Sequence, residues 1–159
     1  MARRTTFEIP GLKTWVQNIK NEVSQEAARE IVTELKERGP YWTGDFEEAW
    51  VVKLGSTRIR ATRKGVPLRP RTPYTRQLTP VSIPQATGRK SISYTIGNEM
   101  EYRNIALDLE PGRITSETKN PTAPQDWYRT YVEGGGLRST LARATNRATR
   151  STKVRGFGK

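Results

Sequence analysis

The sequence predicts a single domain that combines one long helix with short β-strands. The chain has 159 residues, an ordinary length for one domain. Apolar residues recur every three or four positions between residues 12 and 35, which is the period of one helix face. Residues 90–97 alternate between apolar and polar side chains, which is the period of a half-buried strand. The two periods together indicate a fold of mixed α and β structure.

The composition indicates a small core and an anionic partner. Apolar residues make up 33% of the chain, against roughly 45–50% in typical globular domains. The 28 basic and 16 acidic residues leave a formal net charge of +12. A charge of that size favours binding to a nucleic acid or to an acidic protein surface. Charge alone does not distinguish these two partners, so both stay open.

The sequence offers little material for catalysis or metal binding. It contains no Cys and no His, which removes disulfides, the commonest general base and most zinc ligand sets. The carboxylate pairs Glu47/Glu48 and Glu99/Glu101 are typical of solvated charge. The glycines at 134–136 lack the Lys-Ser/Thr of a phosphate loop. We therefore expect no enzyme activity, no cofactor and no metal site.

The sequence also lacks the apolar segments of a membrane or secreted protein. No run approaches the roughly eighteen apolar residues of a membrane span. The first six residues, MARRTT, have no apolar region typical of a signal peptide. We expect a protein that is made and used in a soluble setting of the cytoplasmic type, without a membrane partner.

A long helix is predicted from residue 12 to residue 38. Gly39 is suited to the C-terminal cap, and Pro40 prevents continuation. Lys36 and Arg38 place positive charge at the negative end of the helix dipole. The face expected to be buried steps by three or four residues and consists of Leu12, Val16, Ile19, Val23, Ala27, Ile31 and Leu35, widened by Trp15 and Val32.

The same helix carries an acidic ridge, defined as Glu22, Glu26, Glu30 and Glu34. Each glutamate follows the previous one by four residues, so neighbouring charges repel by a few tenths of a kcal/mol per pair. Such a run is most often a solvated face. The alternative is a protein interface, in which the ridge receives a basic segment from another copy or from a neighbouring protein.

A turn, a short helix and a strand are predicted between residues 39 and 55. Thr43 or Asp45 can cap the short helix, and Asp45 with Glu48 has the spacing of a capping box. Residues 50–54 are rich in side chains that favour strands, and the Gly-Ser pair that follows ends the strand.

A basic arm is predicted at residues 55–88. The surrounding stretch from residue 49 to residue 98 contains ten Lys or Arg and no carboxylate, and five prolines in its middle exclude a helix or a central strand. Residues 57–62 and 81–83 fit the two limbs of a hairpin. Residues 60–84 should be removable without unfolding the domain, because the prolines there contribute little to a core. The arm residues expected at a protein interface are Arg58, Arg60, Arg63, Lys64, Arg69, Arg71, Tyr74 and Arg76.

A second strand and a short irregular element follow the arm. In residues 90–97 the side chains of Ile92, Tyr94 and Ile96 lie on one side of the predicted strand. A turn follows, and residues 102–109 fit a helix or an irregular strand. Residues 113–125 are predicted to be a polar loop because they contain two prolines and few apolar side chains.

A helix and a basic extension are predicted at residues 126–159. Asp126 can cap the helix, and the three glycines at 134–136 give a flexible joint. Residues 134–159 contain seven basic residues and no acid. Leu137, Leu141, Ala144 and Ala148 form a thin apolar seam. The arginines expected to bind an anionic surface as a protein interface are Arg138, Arg143, Arg147 and Arg150.

Four motif segments resemble those of a known family. Residues 39–50, GPYWTGDFEEAW, resemble the segment Pro-x-x-Thr-Gly-x-Leu-x-x-Ser-(Trp/Ile) that follows the first long helix in tail-completion or neck proteins of tailed bacteriophages, of the lambdoid minor tail-component type. Residues 96–102 resemble the family's Val-x-Asn-x-x-x-Tyr-Ala, residues 107–112 its Leu-Glu-x-Gly, and residues 123–125 its Gln-Ala-Pro-x-Gly. The chain departs from the family at Phe46, at Arg103 and in the long insertion from about residue 55 to residue 88.

The resemblance implies an α+β domain in which the long helix packs on a small antiparallel sheet. It further implies a structural protein of the virion, made in the host cytoplasm. Its copies would form a ring, commonly of six, where the portal-side connector proteins meet the tail proteins. In such a ring the basic arm and tail of one copy would dock on the next copy. The alternative is a nucleic-acid-binding protein whose basic residues neutralise phosphates and whose tyrosines stack on bases. The two are compatible, because genome DNA passes through the neck channel.

Overall fold

The computed structural model describes residues 12–41, 44–65, 76–85, 92–107, 123–124 and 126–156. Its elements in chain order are α1 (Leu12–Arg38), α2 (Asp45–Glu48), β1 (Trp50–Leu54), β2 (Tyr94–Asn98), α3 (Arg103–Ala106), α4 (Trp127–Glu133) and α5 (Gly136–Gly156). A long N-terminal helix lies against a two-stranded antiparallel sheet, with further helices around it. The α+β fold class is therefore confirmed.

Helix α1 has the predicted bounds, but its buried face differs from the predicted one. Ala28, Val32 and Leu35 are buried in the core, whereas Val16 is 37% exposed and Ile31 is only half-buried. Burial is concentrated in the second half of the helix because α2, the sheet and α4 pack there. The apolar period therefore predicted the helix correctly and its core face only in part.

Helix α2 begins with a glycine cap and not with a side-chain cap. Gly44 occupies the N-cap position with a φ of 84°, and no side chain makes a capping hydrogen bond. The left-handed conformation favours a residue without a Cβ, which explains the glycine. Asp45 is the first helical residue, so its prediction as the cap is wrong. Thr43 lies outside the described residues.

The two strands pair in an antiparallel register that joins distant parts of the chain. Trp50 pairs with Asn98, and Leu54 pairs with Tyr94. The amide of Gly55 donates to the carbonyl of Ser93 over 2.7 Å, which extends the pairing by one step. Both predicted strands are thus present, with β2 beginning four residues later than expected.

The predicted hairpin limbs at residues 57–62 and 81–83 are not strands. The Ile59 carbonyl accepts a hydrogen bond from the guanidinium of Arg103 and not from a neighbouring strand. Residue 63 makes a single parallel bridge with Met100. Val81 and Ile83 instead place half-buried side chains against the core. Both limbs are therefore held by side-chain packing and isolated bonds, which the short periodicity could not reveal.

Helices α3 and α4 cover one end of the core. Helix α3 lies within the predicted segment 102–109, of which residues 108–109 lie outside the described part. Trp127 of α4 donates from Nε1 to the carbonyl of Ala106 over 2.9 Å, which fastens α4 to α3. Asp126 occupies the predicted N-cap position of α4, with a φ of 59°, but its side chain makes no capping hydrogen bond.

Aromatic side chains form a large part of the core between α1 and the sheet, beside aliphatic residues such as Val32 and Leu35. The ring of Phe46 contacts Trp50 edge-on at 5.8 Å and stacks on Tyr102 at 6.2 Å between centroids. Trp127 and Tyr131 of α4 are buried in the same cluster. Because each aromatic ring buries a large area, this cluster stabilises a domain with few aliphatic residues.

Candidate functional site

Two helices form a charged seam, which we name the Glu–Arg ladder: the acidic ridge of α1 together with Arg143, Arg147 and Ser151 of α5. Arg147 lies 3.1 Å from Glu26 between Nη1 and Oε1, and it also pairs with Glu30. The Nε of Arg143 lies 3.9 Å from a Glu30 oxygen, and its Nη2 pairs with Glu34. Ser151 donates to Glu22 over 3.5 Å. As numbers rise along α5 they fall along α1, so the helices are antiparallel.

Within the ladder, the glutamates are less exposed to solvent than the arginines. The side chains of Glu26, Glu30 and Glu34 are 14–16% exposed, whereas Arg143 and Arg147 are 48% and 63% exposed. The ridge is therefore not a fully solvated face, because α5 of the same chain lies over it. Each arginine contacts two glutamates, which offsets the repulsion that four-residue spacing imposes on like charges.

Small side chains beneath the ladder bring the helices together. Thr140, Ala144 and Ala148 of α5 are buried, with exposures of 1%, 0% and 4%. Tyr131 of α4 donates to the hydroxyl of Thr140 over 3.2 Å, and that hydroxyl donates to the Gly136 carbonyl over 3.0 Å. A Cβ on Gly136 would come within 2.7 Å of the Tyr131 ring. The first turn of α5 is thus anchored on α4, and the rest lies along α1.

The other two predicted arginines of this region are not part of the ladder. Arg138 and Arg150 are exposed on α5. Leu141 is 41% exposed, so it does not belong to the buried seam that the sequence predicted with Ala144 and Ala148. The structure therefore divides the four predicted arginines into two that pair with α1 and two that face solvent.

The first part of the long insertion is a pinned segment, defined as residues 57–65. Arg103 donates to the carbonyls of Ile59 and Asn98 over 3.1 and 2.8 Å. The amides at positions 62 and 63 donate to the Glu99 carbonyl over 2.9 and 3.0 Å. Ile59 is buried over Gly97, where an added Cβ would come within 2.9 Å of the isoleucine. The backbone of this segment is therefore held against β2 at several points.

The pinned segment displays basic side chains to solvent. Arg58, Arg60, Arg63 and Lys64 are all exposed. Glu99 lies 3.7 Å from both Lys53 and Arg63, so one carboxylate partly balances this cluster. Arg58, Arg60 and Lys64 make no ion pair within the described residues. A fixed backbone carrying exposed cations is an arrangement that can bind a polyanion.

The second part of the insertion, residues 76–85, is fastened to the core. Arg76 lies 3.2 Å from the carboxylate of Glu47, donates to the Lys36 carbonyl and stacks on the Tyr41 ring at 4.7 Å. Glu47 is only 1% exposed, so its prediction as solvated charge is wrong. Arg69, Arg71 and Tyr74 lie outside the described residues. Arg76 is thus a tether to the core, and the expectation that residues 60–84 are dispensable has to be revised.

Lys36 strengthens the attachment of this segment. Its ammonium donates to the carbonyl of Thr79 over 2.5 Å and to the hydroxyl of the same residue over 3.2 Å. Burial lowers the pKa of Lys36, and the nearby carboxylates of Glu47 and Glu48 oppose that shift. A buried lysine beside a buried glutamate could have been suspected only from the apolar neighbours of Glu47 in the sequence, a weak signal.

The four motif segments meet in one core. The buried side chain of Asn98 donates to the Phe46 carbonyl over 2.7 Å and accepts from the Met100 amide over 3.0 Å. The side-chain amide of Asn98 therefore joins the first motif segment to the second. Leu107 of the third segment is buried in the same cluster, and Ala123 of the fourth packs against it. The motif residues therefore act as determinants of the fold.

No helix among the described residues is long and apolar enough to cross a membrane. The described residues contain no group of three or more carboxylates placed to hold a metal ion. Comparison with family models, curated proteins and solved structures gives no match.

Proposed function

We propose that the chain is a structural virion protein of the bacteriophage neck or tail top, whose copies form a ring that joins the portal-side connector to the tail. It works by assembly and not by catalysis. One observation carries the proposal: described residues from each of the four motif segments that resemble the neck family contribute to one core, with Asn98 joining the first two. A chance likeness of short motifs would not require them to be neighbours in space.

Arg103, one of the residues at which the chain departs from the family, supports the same proposal. Arg103 stands where the family commonly has a small Ala, and its guanidinium holds the start of the long insertion through the Ile59 carbonyl. The departure at this position and the insertion are therefore physically linked. We infer that the insertion is an addition to a shared framework, placed to contact neighbouring proteins of the neck.

The proposal is tested by particle mass and location. We expect the purified chain to form a ring, most simply of six copies, by light scattering and electron microscopy. An antibody against the chain should label tailed particles at the junction between head and tail. A chain that stays monomeric at all concentrations and never associates with connector or tail proteins would exclude the proposal.

A nucleic-acid-binding role is the second candidate, and the pinned segment favours it. Arg58, Arg60 and Lys64 are exposed on a backbone that is already ordered, so binding phosphates would cost little further conformational entropy. This role is compatible with a ring around DNA. The choice between the two depends on whether binding to duplex DNA is localised at this segment.

Binding to fluorescently labelled duplex DNA at several salt concentrations tests the second candidate. Replacing Arg58, Arg60 and Lys64 with Gln should reduce the slope of log affinity against log salt by roughly two to three, because about 0.9 counterion is released per phosphate contact. The control replaces the exposed Arg138 and Arg150 of α5 with Gln. Equal losses per charge in both variants would mean unspecific attraction and would reject a site at the pinned segment.

A further inference from the structure

Helix α5 is connected to α4 through a short glycine joint. Residues 134–136 are all glycine, and Gly135 has a φ of 92° with nothing within 4 Å of the position of an added Cβ. At Gly135 no side chain packs against the backbone, whereas Gly136 lies against the Tyr131 ring. A change of direction at Gly135 meets no side chain, because a glycine there leaves the backbone open to other conformations.

The second half of α5 is held to α1 by half-exposed ion pairs and by small buried side chains. Arg143 and Arg147 are about half exposed, and exposed ion pairs contribute little individually and weaken with salt. The side chains that lie between the helices are small, as with Ala144 and Ala148. The larger Leu141 is 41% exposed and adds little to the contact. This half of the helix can therefore leave α1 without opening the aromatic core.

The two faces of the ladder are complementary in spacing as well as in charge. The ridge glutamates repeat every four residues, and Arg143, Arg147 and Ser151 repeat every four residues in the opposite direction. The same contacts can form when the two helices belong to different copies of the chain. In that arrangement only the glycine joint has to differ.

We propose that α5 exchanges between copies, so that Arg143 and Arg147 of one copy dock on the acidic ridge of the next. The exchanged contact is head-to-tail and can close into a ring. In the closed form the short joint holds α5 near its own α1 at an effective concentration in the millimolar range. Exchange is therefore favoured when copies are held together at a comparable local concentration. The inference rests on the proposed function only in placing the exchange within a ring. Exchange itself is a property of the purified chain.

Cross-linking tests exchange directly, because the chain has no Cys of its own. Glu22→Cys and Ser151→Cys place thiols at two residues whose side-chain oxygens lie 3.5 Å apart. The double variant, cross-linked with a short thiol linker at low concentration, should give a closed monomer and so verify the geometry. The two single variants are then mixed at high salt, which screens the ladder, and returned to low salt before cross-linking.

We expect the mixture to give several-fold more cross-linked dimer than either single variant alone. A matched pair of glycine variants sharpens the test. Gly135→Ala strains the closed joint without a steric clash and should raise the dimer fraction roughly five- to tenfold, because opening the joint relieves the strain. Gly55 has the same conformation with a φ of 83° and equally open surroundings, so Gly55→Ala should leave the dimer fraction unchanged.

The outcomes separate exchange from the proposed ring. A double variant that closes as a monomer, with a mixture that gives no excess dimer even at millimolar concentration, would refute exchange. Rings that persist in that case would leave the neck function standing on another interface. If the cysteine variants do not fold, charge-reversed chains decide: R143E/R147E mixed with E26R/E30R should associate one to one, and failure to do so would reject exchange.

Discussion

At the scale of single residues, buried polar groups determine how the chain is connected. Asn98 is 2% exposed, and both ends of its amide are used, one by Phe46 and one by Met100. Glu47 is equally buried and depends on Arg76 as the cation that contacts its carboxylate. Each of these groups would leave an unsatisfied partner if removed, so each is expected to contribute far more than a surface residue.

Replacing Asn98 with Ala should lower the free energy of unfolding by about 2–3 kcal/mol, because the Phe46 carbonyl and Met100 amide lose their partner in a buried site. Urea unfolding followed by circular dichroism measures the change. Asn146→Ala, on the exposed side of α5, is the control and should change stability by no more than about 0.5 kcal/mol. Equal effects of the two substitutions would contradict the role assigned to Asn98.

Replacing Arg76 with Gln should destabilise the chain by about 2–4 kcal/mol, because the buried carboxylate of Glu47 then loses the cation that contacts it. Arg60→Gln removes the same charge from an exposed position and should have almost no effect. Adding Glu47→Gln to the Arg76 variant should restore part of the loss. If the double variant is no more stable than Arg76→Gln, the two side chains are not coupled.

Alkaline pH should destabilise the chain partly through Tyr102. Burial raises the pKa of Tyr102 to about 12, with a smaller contribution from the Asp45 charge. The unfolded phenol ionises near pH 10, so the stabilisation is complete below pH 10 and is lost as pH rises towards 12. After allowance for partial solvent screening, this amounts to about 1–2 kcal/mol.

The Tyr102→Phe variant tests this assignment, since it keeps the ring that stacks on Phe46. Its unfolding free energy should fall less steeply between pH 10 and pH 12 than that of the parent chain. Burial also raises the pKa of Tyr94 and Tyr131, so some alkaline loss should remain. Identical pH profiles for variant and parent would show that Tyr102 is not responsible.

At the scale of elements, the long insertion consists of parts with different roles. Residues 57–65 are held against β2, and residues 76–85 are fastened to α1 and the core through Arg76, Lys36 and Tyr94. The prolines predicted correctly that no helix or central strand passes through the described parts of the insertion. They did not predict that the returning part would be structural, because its attachment depends on two buried charges far away in sequence.

Two replacements of equal length separate these roles. Exchanging residues 66–75 for ten Gly/Ser residues should change the free energy of unfolding by no more than about 1 kcal/mol, because the prolines in that stretch of the sequence are expected to contribute little to a core. The same exchange of residues 76–85 should cost at least about 3 kcal/mol, because it removes the cation at Glu47 and the packing of Val81 and Ile83. Thermal and urea unfolding measure both, and a reversed order would overturn the division.

At the scale of the whole molecule, charge is arranged unevenly. The acidic ridge is covered by arginines of the same chain, whereas cations such as Arg58, Arg60 and Arg138 remain exposed. Among the described residues, unpaired positive charge therefore lies at the surface. Association with neighbours should consequently depend strongly on salt.

If ladders formed by exchanged α5 helices link the copies of the proposed ring, its mass should fall as salt rises from about 0.1 to 1 M, because the Debye length shortens from about 10 to 3 Å. Light scattering at a fixed protein concentration gives this dependence. A ring whose mass is constant or rises with salt would require an apolar interface instead of the ladder.

The sequence alone predicted the elements whose signals are local. Helix α1 follows from an apolar period and the Gly-Pro stop, and β1 and β2 follow from alternation and strand-forming residues. The acidic ridge and the basic C-terminal helix were both recognised as charged surfaces. Asp45 was not predicted correctly as a cap, because Gly44 serves there, whereas Asp126 holds the predicted N-cap position without a side-chain capping hydrogen bond.

Local patterns in the sequence therefore determined which helices and strands form, because helix and strand periods depend only on neighbouring residues. The tertiary structure alone decided which surfaces meet. It paired the ridge with Arg143 and Arg147 across more than a hundred residues, buried Glu47 beneath Arg76, and placed Asn98 between two motif segments. The physical reason is that long-range partners depend on how helices and loops pack, and charge complementarity has no period that a sequence can display.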